Sequence, residues 1–157
     1  GKREGLRGQA PLKRNSMSKA PETILFVCVH NAGRSQMAEA FVNKLATERG
    51  LQVRGLSAGT EAGERVNPLA VQVMAELGIS MDGQHPKQLT QEMADSASSI
   101  ITMGCGVDAT SCPATIYFTD DWGLDDPAGK PIEKVREIRD QIRTRVEKLL
   151  TDVTKQG

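Results

Sequence analysis

Residues 27–41 read VCVHNAGRSQMAEAF. An apolar run ends at Cys28, five loop residues follow, and Arg34 and Ser35 open a stretch in which Met37, Phe41 and Leu45 recur every four residues. That spacing is one face of a helix. The run before it, TILFVCV, is continuously apolar, the pattern of a strand covered on both faces. A loop that leaves a strand and enters a helix start directs unpaired backbone N–H groups at one spot, where the helix dipole adds positive potential. Such a spot holds an anion. Arg34 supplies a planar fork able to grip two oxygens at once. Cys28 sits under the same positive field, which favours a thiolate nucleophile beneath the anion. Ser35 can donate a hydrogen bond to that sulfur, and Asn31 and Gly33 are residue types that tolerate the left-handed backbone of a tight nest. The oxyanion-binding set is therefore Val29, His30, Asn31, Ala32, Gly33 and Arg34. His30 reads as a loop hydrogen-bonder rather than a base. A lone cysteine at a strand end would be only a small core residue; the spacing to arginine, serine and a helix start gives this one a job.

Outward from this stretch the order is strand, helix, strand, helix. LQVRGLSAG reads as a second strand, and Asn67 and Pro68 as the N-cap and first position of the helix PLAVQVMAELG, stopped by Gly78. SASSIITM reads as a third strand and ATIYFT as a fourth. A last helix is predicted from about Pro131 to Val153, with Ile132, Val135, Ile138, Ile142, Val146, Leu149 and Val153 on one stripe. The pattern predicts an α/β fold of three layers, a four-stranded parallel sheet with helices on both faces. In such sheets ligands sit beyond the carboxyl ends of the strands, where Cys28, Cys105 and Asp126 all fall.

The chain has 157 residues, enough for one domain with a sizeable core. Residues 1–20 are basic and carry no apolar period, so they read as a flexible tail, and 21–157 as the single folded domain. The stretch before Met17 reads as a remnant of expression or processing. Lysine plus arginine (20) balances aspartate plus glutamate (20), and aromatics make up 3%, which argues against a nucleic-acid partner. No apolar run approaches the roughly 18 residues of a membrane span. The expectation is a cytoplasmic monomer. Three cysteines are too few for a disulfide scaffold and suit reactive thiols in a reducing compartment. Cys105 and Cys112 lie in a Gly- and Ser-containing segment with six residues between them, which matches no common zinc spacing.

The C-x5-R-S stretch resembles the phosphate loop of the low-molecular-weight protein tyrosine phosphatases and of the arsenate reductases that share their fold. The segment ITMGCGVDATSCPATIYFTDDWGLDDPAGKPIEKVREIRDQI, with its cysteine pair and its WGLDDPAGK loop, resembles the thioredoxin-coupled arsenate reductases. With LSAGTEAGERVNPLAVQVMAELGI the resemblance spans about Thr23 to Leu150. A tyrosine phosphatase would be expected to carry aromatic residues after Asp-Pro, where this chain has Ala128 and Gly129. The resemblance implies reduction of arsenate to arsenite for arsenic detoxification, with weak phosphatase activity beside it. Cys28 is then the nucleophile, Arg34 and Ser35 its partners, and Asp126 the proton donor. Cys105 and Cys112 complete a Cys28–Cys105–Cys112 thiol–disulfide relay. Asp125 is the lesser candidate acid, and Trp122 reads as a packing anchor.

The resemblance implies no tightly bound cofactor. The implied reductant is thioredoxin or another dithiol protein, with a glutaredoxin-type or small-thiol donor as the other possibility. His30 and Gly33 also resemble loop residues of members that use a small thiol such as mycothiol, so an arsenate–thiol transferase and a tyrosine phosphatase stand as alternatives. Members of the thioredoxin type can bind potassium beside the loop; Asn31, Glu39 and Ser57 match positions used for it, while Lys87 would oppose a cation there.

Overall fold

A computed structural model describes residues 22–103 and 120–156. The basic tail, Cys105, Cys112 and the expected strand at 114–119 lie outside the described residues. The elements are β1 (Glu22–Cys28), α1 (Arg34–Arg49), β2 (Val53–Gly59), α2 (Pro68–Ala75), α3 (Gln91–Ser96), β3 (Ser99–Thr102), β4 (Asp120–Asp121) and α4 (Ile132–Gln156). All pairings are parallel, in the order β2-β1-β3-β4.

That order places the site. From β1 the chain moves to one side to form β2 and then crosses to the other side for β3, so the sheet switches direction at the carboxyl end of β1. Two loops part company there, and the crevice between them opens above Cys28. Alternation along β1 feeds two cores. Ile24, Phe26 and Cys28 face the layer of α1, α2 and α4, including Met37, Phe41, Val73, Met74, Val135 and Ile138. Leu25 and Val27 face Ala58, Leu89, Ile100 and Ala94 of α3. With both faces covered, residues 24–28 are all buried, as the unbroken apolar run requires.

Helix ends follow their sequence signals. Asn67 Oδ1 accepts from Leu69 N–H at 2.9 Å with Pro68 in the first turn, and Gly50 closes α1 in the left-handed region at φ 67°. The buried stripe of α4 runs Val135, Ile138, Ile142, Val146, Leu150, so the fifth contact is Leu150 and Leu149 is only half-buried. Where the sequence suggested a strand from Ser96, α3 ends at Ser96 and β3 begins at Ser99. Thr90 caps α3, its Oγ1 accepting from Met93 N–H at 3.1 Å. Trp122 is buried against Phe26, ring centroids 5.4 Å apart, and pins the chain that follows β4 to the sheet.

Gly59 ends β2 opposite Cys28. A Cβ there would lie 2.5 Å from Val29 O and 3.0 Å from Asn31 N, so only glycine lets β2 lie flush under the loop. Gly59→Ala is expected to cost about 2 kcal/mol of stability, an overpacking effect. Urea unfolding checks it; an alanine variant as stable as the parent would refute the contact.

Candidate active site

Cys28 is the last residue of β1, 3% exposed, with its sulfur at the floor of the loop. Asn31 N–H points at Sγ from 3.2 Å, and Ser35 Oγ lies 2.9 Å from it. Asn31 Nδ2 donates to the same Ser35 oxygen at 2.7 Å, which leaves the serine hydrogen free to point at sulfur. Two donors therefore converge on Cys28, an arrangement that suits a negatively charged sulfur.

The loop keeps its shape through Asn31, fully buried at φ 53°. Its Oδ1 accepts from Gln36 Nε2 at 3.0 Å and from Lys87 N–H at 2.8 Å, and Gln36 Nε2 also donates to Asn31 O and His85 O. Gly33 does not use the left-handed region expected of it: its φ is −132°. Its lack of a side chain serves a close approach instead, because a Cβ would come within 2.7 Å of Pro127 Cγ. The Asp126–Pro127 turn thus rests directly on the loop between β1 and α1.

Arg34 joins those two parts. It is 5% exposed, and its Nη1 donates to Leu124 O at 2.8 Å and Met103 O at 3.2 Å. Both Nη1 hydrogens are committed to carbonyls beyond β3 and β4, so the Nη2 and Nε side is what can face an anion. Nη2 lies 3.6 Å from Asp126 Oδ2. Asp126 is half exposed and its Oδ1 accepts from Ala128 N–H at 2.9 Å. Asp125 faces elsewhere, paired with Lys134 Nζ at 3.2 Å. Of the two carboxylates, only Asp126 lines the pocket.

That pocket has a volume of about 40 Å³ and is lined by Cys28, His30, Ala32, Gly33, Arg34, Asn67, Asp126 and Ala128. Among the described residues, the lining past Pro127 is the methyl group of Ala128. His30 Nδ1 lies 3.1 Å from Glu61 O, a contact within the loops. Asn67 was legible only as a helix cap, yet its N–H donates to Ala32 O at 2.7 Å and it forms part of the rim. Gln36, fully buried at the start of α1, was not singled out by sequence; a glutamine one residue past the Arg-Ser pair was the available signal.

A potassium ion does not fit the donors matched to one. Ser57 Oγ donates to Glu39 Oε1 at 2.7 Å, Asn31 Oδ1 is filled by two N–H donors, and the Lys87 ammonium lies 3.6 Å from Glu39 Oε1. The positive charge at this spot is the protein's own. Among the described residues there is no cluster of three or more His, Cys, Asp or Glu side chains able to hold a metal.

Residues 23–157 match the family model described as low molecular weight phosphotyrosine protein phosphatase. A putative arsenate reductase of Halobacterium salinarum is 40% identical over 123 residues, 77% of this chain and 85% of that protein. The glutaredoxin arsenate reductase of a Synechocystis species is 36% identical over 132 residues, 83% of this chain and 98% of that one. Among solved structures, an arsenate reductase in the phosphate-binding state superposes with a TM-score of 0.69 at 34% identity, covering 83% of this chain and 98% of that chain. A thioredoxin-dependent arsenate reductase of Corynebacterium glutamicum gives a TM-score of 0.70 at 31% identity, over 90% of this chain and 66% of that chain. The all-parallel four-stranded sheet and these likenesses agree: the chain belongs to the low-molecular-weight phosphotyrosine protein phosphatase family, among relatives named arsenate reductases.

Proposed function

We propose that this protein reduces arsenate to arsenite. The observation that carries the reading is the pocket lined together by Cys28, whose sulfur has two donors on it, by Arg34 and Asp126, and by Ala128 where a tyrosine phosphatase would be expected to carry an aromatic residue. The arsenate reductases among its relatives support the same substrate.

Arsenate enters as a tetrahedral oxyanion held by the loop N–H groups and the free side of Arg34. The Cys28 thiolate attacks arsenic, an S–As bond forms, and one oxygen leaves as water, protonated by Asp126. Because Arg34 is shared between anion and Asp126, the arriving anion competes for the guanidinium and frees the carboxyl toward the leaving oxygen. The Cys105 thiolate then attacks the Cys28 sulfur. The S–As bond breaks, its electron pair stays on arsenic, and arsenite departs, leaving a Cys28–Cys105 disulfide. Cys112 attacks Cys105 in turn, which frees Cys28 and leaves Cys105–Cys112 for an external dithiol to reduce. One arsenate thus consumes two protein thiols per turnover.

Thioredoxin is the proposed donor, in keeping with the thioredoxin-dependent neighbour; the glutaredoxin-named relative supports a glutaredoxin-type donor as the second reading. Free working thiols require a reducing compartment, so a cytoplasmic location belongs to the same proposal. No helix among the described residues is long and apolar enough to cross a membrane. Phosphate esters bound in this loop are expected to be hydrolysed slowly, since phosphorus is attacked by the same thiolate but is not reduced.

The test is a single turnover: fully reduced protein and arsenate with no added thiol, arsenite assayed and disulfides mapped by peptide mass. Arsenite in near-equimolar yield with a Cys105–Cys112 bond is the expected result. All thiols free and no arsenite would end the internal relay. Arsenite appearing only after addition of a small thiol would identify a thiol transferase instead.

A further inference from the structure

From its place behind the anion loop, we infer that the Lys87 ammonium is a built-in replacement for a monovalent cation, which makes anion binding by this chain independent of potassium. The inference rests on reading residues 28–34 as an oxyanion loop. Three observations converge on Lys87.

First, its ammonium has the surroundings a monovalent cation would choose. It lies 3.6 Å from Glu39 Oε1 and donates to His85 O at 3.2 Å, and the same Glu39 oxygen accepts from Ser57 Oγ at 2.7 Å. A carboxylate and a carbonyl oxygen around one positive centre, with a hydroxyl bonded to that carboxylate, are hard-oxygen ligands of the kind alkali and alkaline-earth ions take. Secondly, the pair is sheltered: the Glu39 side chain is 12% exposed and that of Lys87 is 27% exposed. A carboxylate so far withdrawn from water needs a positive partner. Thirdly, the backbone of the same residue shapes the loop. Lys87 N–H donates to Asn31 Oδ1 at 2.8 Å, and Lys87 O accepts from Gly59 N–H at 2.8 Å. Asn31 in turn holds Ser35 and presents its N–H to the Cys28 sulfur.

One residue therefore ties the end of β2, the left-handed Asn31 and the half-buried Glu39 together. A mobile ion here would have to be bound from solution before the loop was set; a lysine on the chain keeps the charge there at all times. Lys87 is on this account a positioning residue: it touches no reacting atom, and acts through Asn31 and Glu39.

The experiment measures thermal unfolding and inorganic phosphate binding in potassium chloride and in choline chloride at equal ionic strength. The unmodified chain is expected to give the same melting temperature and the same phosphate affinity in both salts. Lys87→Met is expected to bind phosphate about tenfold more weakly in choline, because Glu39 loses its partner, and to recover several-fold in potassium with a rise in melting temperature. Lys87→Arg should behave as the parent does. A lysine with only a structural part would lower both readouts equally in the two salts, and that result overturns the proposal. So does a parent chain whose melting temperature or phosphate affinity rises with potassium. Should Lys87→Met fold in neither salt, Lys87→Gln, closer in polarity, is used in its place and read by the same criteria. Phosphate binding by the parent chain judges the loop reading by itself, and the salt response of the melting temperature judges Lys87 without it.

Discussion

Cys28→Ser is expected to form no arsenite, in single turnover or with any donor, and to lose at least about four orders of magnitude of phosphate-ester hydrolysis. The two losses have different origins. A serine hydroxyl keeps its proton at neutral pH and attacks phosphorus or arsenic poorly, which accounts for the hydrolysis. It also cannot be oxidised to a disulfide, so the two electrons that arsenic must receive have no source. Folding should survive, since Cys28 is small and serine fills nearly the same space next to Ser35. The loop N–H groups and Arg34 remain in place, and with no negative sulfur beneath the anion, phosphate should bind as tightly as before or more tightly. The measurement is therefore paired: arsenite yield by single turnover, phosphate affinity by titration. Arsenite from the serine variant would move the nucleophile elsewhere, and loss of phosphate binding would mean that the thiol is part of the loop's architecture rather than its chemistry.

Most of what this prediction needs was legible in residues 23–45, because there the signals are local. An unbroken apolar run, a short loop and a four-residue apolar repeat each depend on neighbours in the chain, and β1, the loop and α1 follow from them. α3 was not legible: Gln91–Ser96 is six residues long and only Met93 and Ala94 could mark its buried side. Its Thr90 cap was the one local clue. β4 is described only at Asp120–Asp121, which pair with Ile101 and Thr102; the run ATIYFT, read as the fourth strand, lies just before them and outside the described residues. The network of Gln36, Gln84, His85 and Lys87 was hidden for another reason. Its partners are 48 to 56 positions apart in the chain, and no periodicity brings such polar residues together on paper. Asp126 was preferred to Asp125 on the family resemblance alone; the geometry turns Asp125 to Lys134 and Asp126 to Arg34.

Arg34→Lys is the second large effect, and it separates two tasks that one side chain performs. Nη1 spends both hydrogens on Met103 O and Leu124 O, so the arginine is a latch that holds the Asp126 turn over the loop. The Nη2 and Nε side is the anion fork. A lysine keeps the charge but has a single ammonium, which cannot reach two buried carbonyls and grip two anion oxygens together. Loss of the latch leaves carbonyls short of a donor, worth about 2 kcal/mol of stability. Loss of the fork removes a preorganised donor pair from the developing charge on arsenic, worth about a thousandfold in kcat/KM. The two are told apart by the stabilisation that phosphate confers. If Arg34 were a latch alone, saturating phosphate would raise the melting temperature of the lysine variant by as much as it raises that of the parent. The expectation is that the variant melts lower and gains little from phosphate. Supplying guanidinium in solution should restore part of the phosphate response and leave the latch unrepaired, because a free ion can sit beside the anion but cannot hold the turn in register with the loop.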